Sequence, residues 1–488
     1  MNSSMNSASP LAIGTQHGID LKHLKHLKHM WRQVFLVALT LAGLMAWTYS
    51  AHAQITAPSP APPNSTAAAP MVTLENLGQK IFNDKNLSQP AGVACVSCHN
   101  PQTGFSSLNG SRLGVPLGST PNSFGSRNAM QNAYSSFVPS FSFRVVGTDT
   151  DPKGGLFWDG RADNLVAQAM IPFLSSAEMN NANASQVVAK VQRASYAKDM
   201  TALFGLGVFN NTDTAFQAIA QAIATFEKSP ALNAFNSKYD QFVKGQVNLS
   251  ASEQSGLNLF MSPSKGNCAS CHLMNPQSSK PSDNLFTDFA MYATGIPRNP
   301  QIPANANPSN FDLGLCGPKR NKPALSSNVP VGVTIEQFCG TFRMPSLRNV
   351  AQRQYFMHNG VFTDLNEVVS FYATRNANPK RWYGPAGVPN DLPNAYLSNI
   401  VSDRAPFNRL ASEGPALTPS EIGDVVAFLK TLSDAPVPPA APVAGPSSPG
   451  AVGLNPLSAP APAPVLAPSP PPPPHNPPLA ASAPATSK

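Results

Sequence analysis

Two copies of the pentad Cys-x-x-Cys-His, at residues 95–99 and 268–272, constrain this chain more than any other feature. Two thiols three residues apart can add to both vinyl groups of one haem, and the histidine that follows then lies against the haem face as its proximal iron ligand. Cys95, Cys98 and His99 form one such set; Cys268, Cys271 and His272 form the other. The competing reading is a zinc site or redox dithiol, but zinc needs more Cys or His nearby than the sequence offers. Two covalently bound haem c groups are therefore expected.

The N-terminus agrees with haem attachment outside a bacterial cytoplasm. Residues 1–53 carry Lys22, Lys25, Lys28 and Arg32, an apolar stretch over 34–47, and Ala51-His52-Ala53 before Gln54, the pattern of a cleaved export signal. The apolar run is shorter than the roughly 20 residues a bilayer span needs, so an uncleaved anchor is the lesser alternative. Removal of residues 1–53 leaves 29 basic and 24 acidic residues, a net charge of +5. Four haem propionates would nearly cancel that charge, and the basic residues are not clustered, so nucleic acid is not an expected partner. The expected location is the periplasm.

Pro-rich segments flank the rest. Residues 54–70 read as a flexible linker, and 436–488, rich in Pro, Ala and Ser and nearly uncharged, as a disordered tail. Such a composition buries too little apolar surface to offset chain entropy. Between them, residues 71–245 and 246–435 suit two haem domains. Apolar spacing predicts helices over 73–82, 215–226 and 252–260, with Thr418-Pro419-Ser420-Glu421 capping a last one. Asp364 and Glu367 form a capping-box pattern ahead of another. The segments before the two pentads correspond, which suggests two related cytochrome-c-like units. The fold class is mainly α, with long Gly/Pro/Asn-rich loops over 104–132 and 276–340. The two cysteines outside the pentads, Cys316 and Cys339, pair as one disulfide closing a surface loop in an oxidising compartment, or remain as two thiols.

Beyond residue 53 only four histidines remain, His99, His272, His358 and His475. Two are proximal ligands and one lies in the tail, so bis-histidine ligation cannot be assumed for either haem. An open iron face suits peroxide or oxygen chemistry, whereas a filled one suits electron transfer.

The run Phe157-Trp158-Asp159-Gly160-Arg161-Ala162, with Leu165, Gln168-Ala169, Pro172 and Glu178-Met179, closely resembles the bacterial dihaem cytochrome c peroxidase/MauG family. So does Pro345-Ser346-Leu347-Arg348-Asn349-Val350 followed by His358-Asn359-Gly360. The resemblance spans about residues 74–432 and implies a set of roles. Trp158 would relay electrons between the haems; otherwise it is a buried core indole. Gln168 and Glu178 would flank the open face of the His99 haem, Glu178 moving the proton during peroxide cleavage. Its alternative is a solvated carboxylate. Tyr372 stands fourteen residues after His358, where typical peroxidases have Met and MauG-type enzymes Tyr, and would ligate the His272 haem. The alternative ligands are Met344, Met357 or another Met. His358 would tune the second haem or make a structural hydrogen bond. A calcium ion between the haems would take the Asn128 side chain and the backbone carbonyls of Arg353 and Tyr355, although Arg353-Gln354-Tyr355-Phe356 replaces the usual Thr-x-Pro-Tyr and brings a positive charge. No histidine occurs in the loop after His99, so the first haem should be permanently open.

The resemblance thus implies a peroxidase reducing hydrogen peroxide with electrons from a small c-type cytochrome or copper protein. A MauG-like enzyme oxidising residues of a protein substrate, a cleaver of an organic polymer, and a non-catalytic electron carrier are the rivals. A homodimer is compatible with the family pattern.

Overall fold

The computed structural model describes residues 72–146, 149–321 and 329–436. The expected signal and linker, and all of the expected tail but Pro436, lie outside the described residues. So does His475.

The first half builds on α1 (Leu74–Asn83), the short turn α2 (Cys95–Cys98), α3 (Leu165–Leu174), α4 (Ala184–Gln192), α5 (Ala197–Phe204) and α6 (Thr212–Glu227). Thr73 caps α1 by accepting from Asn76 N, and Asn211 caps α6 by accepting from Thr214 N. The apolar spacing had placed the start of α6 at Ala215. The cap lies further upstream because Thr212, Asp213 and Thr214 add a polar first turn that periodicity does not register. Leu77, Ile81, Phe82, Phe173, Val187, Val191, Phe216, Ile219 and Ile223 form one buried cluster.

The second half uses α7 (Lys238–Val243), α8 (Ala251–Met261), α9 (Leu365–Thr374), α10 (Pro379–Tyr383) and α11 (Pro419–Lys430). Its own cluster includes Leu257, Phe260, Phe286, Val369, Phe371, Trp382, Val425 and Phe428. Thr418 and Glu421 make the anticipated reciprocal cap on α11. Asp364 caps α9 more simply, accepting from Asn366 N; Glu367 returns no bond among the described contacts. A second reciprocal cap, Ser250 with Glu253, opens α8. Between the described residues, strand is confined to the hairpin β1 (Ser142–Val146) and β2 (Asp149–Lys153) and the two-residue pair β3 (Met291–Tyr292) and β4 (Phe342–Arg343).

The two halves repeat one helix crossing. A Cβ added at Gly78 of α1 would meet Ala222 O of α6 at 2.0 Å, and one at Gly256 of α8 would meet Asp424 O of α11 at 1.9 Å. Only a residue without a side chain permits these backbones to approach so closely. Four residues on, Phe82 meets Phe226 edge-on at 5.2 Å and Phe260 meets Phe428 at 5.3 Å. The crossing places each pentad beside its helix pair.

A loop is repeated as well. Leu156 bridges Ala162 and Phe356 bridges Phe362, both antiparallel. Between the bridges lie Trp158-Asp159-Gly160 in one copy and His358-Asn359-Gly360 in the other, each preceded by a residue at positive φ, Phe157 at 66° and Met357 at 70°. Asn164 or Asp364 then caps the next helix.

Cys316 and Cys339 are bonded, with a Cα–Cα distance of 5.1 Å. The bridge is buried rather than at the surface, because Leu315, Ile335, Phe338 and Met291 close over it.

Candidate active site

The two pentad histidines are held alike. His99 N donates to Cys95 O at 2.9 Å and His272 N to Cys268 O at 2.8 Å, closing a helical turn across each pentad. His99 Nδ1 pairs with Phe105 O at 3.1 Å, and His272 Nδ1 with Phe286 O at 2.9 Å. A ring nitrogen donating to a carbonyl fixes the tautomer and leaves Nε2 with a lone pair for a metal. Burial holds His99 neutral, down to about 4, and lowers His272 as well. Burial also pushes the thiols up, Cys98 and Cys268 to about 12. Thiolates are therefore disfavoured here, which argues against a redox dithiol. A thioether carries no charge and suits such surroundings, so these residues fit covalently attached haem.

A cavity of about 350 Å³ opens over the first pentad, lined by Cys95, Cys98, His99, Trp158, Gln168 and Glu178 together with Arg161 and Lys319. Gln168 sits on α3, and Glu178 on the turn that follows it. That turn is pinned: Glu178 N donates to Ser175 O, its carbonyl accepts from Ser119 N, and Met179 N donates to Pro172 O. Burial raises the Glu178 carboxyl above the ordinary range, opposed by a Ser175 hydrogen bond and by Arg161 and Lys319. Lys319 was not singled out from the sequence; it arrives from the long loop whose course the spacing does not reveal.

Trp158 is buried, its Nε1 donating to Asn128 O at 2.8 Å, while its own carbonyl accepts from Arg343 N at 2.7 Å. The next residue, Asp159, is held by Arg127 and Arg161, each at 2.8 Å. Arg127 also makes two bonds to Asp312, at 2.6 and 2.8 Å. None of Arg127, Asp312 or Phe342 carried a motif, yet Phe342 stacks on His358 at 3.6 Å. His358 Nε2 lies 3.7 Å from Asp391 Oδ2, and its carbonyl accepts from Asn128 N at 2.7 Å. Asn128 thus ties the Trp158 ring to the His358 backbone.

Tyr372 lies on α9, its ring against Phe407 at 5.3 Å and Phe371 at 5.8 Å. Burial raises its phenol, with smaller electrostatic contributions from Cys271 and Cys268 in the same direction. Tyr372 and Cys268 both pack against the buried cluster of the second half.

Comparison with known proteins agrees with this geometry. Residues 73–248 match the family model described as di-haem cytochrome c peroxidase. The methylamine utilization protein MauG of Paracoccus denitrificans is 32% identical over 374 residues, covering 74% of this chain and 88% of that protein. The chain belongs to the dihaem cytochrome c peroxidase/MauG family. It is accordingly a dihaem oxidoreductase with haem c as cofactor. The crystal structure of the dihaem peroxidase BthA from Burkholderia thailandensis E264 is similar, with a TM-score of 0.69, 38% identity, and coverage of 75% of this chain and 87% of that one. A cytochrome-c peroxidase, IdrP1, of Pseudomonas sp. strain SCT is 26% identical, covering 64% of this chain and 75% of that protein.

The calcium expected in this family does not fit the residues present. Tyr355 O, one of its expected ligands, already accepts from Asn128 Nδ2 at 3.0 Å and Arg353 Nε at 3.3 Å. The charge that would have to make way is the guanidinium of Arg353 itself.

Proposed function

We propose that this enzyme reduces hydrogen peroxide at the His99 haem with electrons drawn through Trp158 from a second haem held by His272 and Tyr372. The observation that carries the reading is the single cavity in which Cys95, Cys98 and His99 are joined by Trp158, Gln168 and Glu178. Haem attached there supplies an iron that can exchange electrons with bound peroxide. The protein's own work is proton handling. Glu178 takes the proton from the near oxygen and returns one to the departing oxygen, while the Gln168 amide orients the peroxide. Arg161 and Lys319 favour the ionised carboxylate that begins this cycle. Two electrons and two protons convert each H₂O₂ to two waters. The Trp158 indole, oriented by its bond to Asn128 O, lines this cavity and meets the His358 ring of the second half at 6.4 Å. The electrons come from a small c-type cytochrome or copper protein in the periplasm.

The test is peroxide-dependent oxidation of such a reduced donor by the dihaem protein. Turnover that disappears in Glu178→Gln while both haems remain attached supports the reading; undiminished turnover refutes it.

One observation favours a second reading. Tyr372 occupies the position typical of MauG-type enzymes, and a phenolate stabilises oxidised iron more than a thioether does. Under this reading the oxidising equivalents leave through residues of a protein substrate. Peroxide-dependent mass changes in a partner protein, without turnover of a small donor, would select it.

A further inference from the structure

We propose that the guanidinium of Arg353 is the built-in cation of the interhaem region, replacing a calcium ion, so that the holoenzyme needs no divalent metal there. The inference rests on the dihaem family assignment rather than on peroxide as substrate.

Main-chain oxygens converge on this place from both halves of the protein. Arg353 Nη2 donates to Ala129 O at 3.1 Å, and its Nε to Tyr355 O at 3.3 Å. Asn128 Nδ2 donates to Tyr355 O at 3.0 Å and Met357 O at 3.2 Å. Carbonyl and amide oxygens are the ligands a hard cation such as calcium takes, at roughly 2.3–2.6 Å. Here the carbonyl lone pairs face N–H donors instead, and a divalent ion entering would meet a fixed positive charge. The Asn128 Oδ1 atom is buried with no partner among the described residues. Reversing that amide would turn Oδ1 toward the Tyr355 and Met357 oxygens, an arrangement that demands a cation more strongly still. In either orientation Arg353 is the cation bonded to the Tyr355 carbonyl.

Among the described residues no carboxylate pairs with Arg353, and no group of three or more His, Cys, Asp or Glu side chains forms a competing metal site. The guanidinium is therefore stabilised by peptide dipoles, as a carbonyl-bound metal would be. Its position matters for electron transfer. Arg353 binds the carbonyl of Ala129, while Trp158 binds the carbonyl of the adjacent Asn128. The cation stands one peptide from the hydrogen bond that orients the indole. A guanidinium keeps its charge near neutral pH and cannot be chelated away.

The experiment uses the full dihaem enzyme, gel-filtered with EGTA, and measures calcium content, both haem midpoint potentials and turnover. The expected result is well under one calcium per chain, with potentials and turnover unchanged by EGTA. Arg353→Gln should keep both haems, lower at least one potential and reduce turnover on the order of tenfold. Added calcium chloride should restore both properties, since the carbonyls then have room for a metal. Arg353→Lys should retain more of each than Arg353→Gln. Stoichiometric calcium in the unmodified enzyme, or potentials that move with EGTA, would overturn the proposal. Haem loss from Arg353→Gln that calcium does not reverse would overturn it too, making Arg353 a haem-propionate clamp. A failed peroxide assay alone would instead count against the proposed reaction, because calcium content and potentials are read without peroxide.

Discussion

Trp158 and His358 meet edge to face, ring centroids 6.4 Å apart, and occupy the same place in a loop that the chain builds twice, 200 residues apart. The duplication explains how two aromatic rings come to face each other across the two halves. Each ring stands at the tip of an equivalent turn, and Asn128 bonds to both turns. The two turns nevertheless present different chemistry. One turn carries an indole, which can be oxidised; the other carries an imidazole stacked on Phe342 and close to Asp391.

Trp158→Phe keeps a ring in this space but loses the bond to Asn128 O. The abandoned carbonyl should cost about 1–3 kcal/mol of stability. Donor-dependent peroxide turnover should fall sharply while both haem spectra persist, as followed by stopped-flow absorbance. Unchanged turnover would remove Trp158 from the electron path.

Glu178 is raised by burial, so it ionises at a higher pH than an exposed carboxylate. If its ionised form accepts the peroxide proton, kcat/KM falls as pH drops through that raised pKa. Lys319→Met removes a charge that lowers it, so the acid limb should move to higher pH. Glu178→Gln should cost about 10²–10⁴-fold and abolish the limb. A profile that Lys319→Met leaves in place would contradict the assignment.

Glu227 offers a pH effect of opposite use. Only 2% exposed, it is raised by burial from an ordinary 4.5 to about 8, and it accepts from Asn132 Nδ2 at 2.7 Å. Between these values the unfolded chain has lost a proton that the folded chain keeps. Stability is thus complete below pH 4.5 and declines as pH rises through about 8. Glu227→Gln should flatten that decline and raise stability at alkaline pH by on the order of a few kcal/mol. Denaturant midpoints of the two proteins across this pH range provide the check.

Much of this architecture could be read locally. The Thr418-Pro419-Ser420-Glu421 cap, the helices leading to the pentads and the haem residues themselves depend on neighbours a few positions away. Other features depend on segments that meet only in the folded protein. Arg353 gave a warning as a charge where the family pattern has Thr, but its reach to Ala129 O joins residues 224 positions apart. The burial of Cys316 and Cys339 follows from Ile335 and Phe338 folding back over them. No periodicity links Phe342 to His358 or Arg127 to Asp312.

If Tyr372 ligates the His272 haem as proposed, Tyr372→Met exchanges an oxygen donor for a thioether and should raise that haem's potential. Tyr372→Phe removes the donor altogether. Low-temperature EPR of the ferric enzyme should show one high-spin and one low-spin haem, with both variants altering only the low-spin signal. Changes confined to the high-spin signal, or none, would exclude Tyr372 as a ligand.

The paired glycines provide a test that separates the two haem sites. Gly78→Ala directs a methyl group at Ala222 O, and Gly256→Ala directs one at Asp424 O, so in each case the obstacle is backbone. Alanine gains about 1 kcal/mol of helix propensity over glycine. Forcing a packed crossing apart costs typically about 1–3 kcal/mol and more against an immovable main chain, so both variants should be net destabilised. The strain is local. Separation of α1 from α6 loosens the Phe82–Phe226 contact, and Phe82 also lies 6.5 Å from the His99 ring. Separation of α8 from α11 loosens Phe260–Phe428, and Phe428 in turn contacts Phe286, whose carbonyl orients His272. Gly78→Ala should therefore broaden the EPR signal of the His99 haem, and Gly256→Ala that of the His272 haem, each leaving the other sharp. Equal perturbation of both signals by either variant would mean that the two crossings are not independent supports.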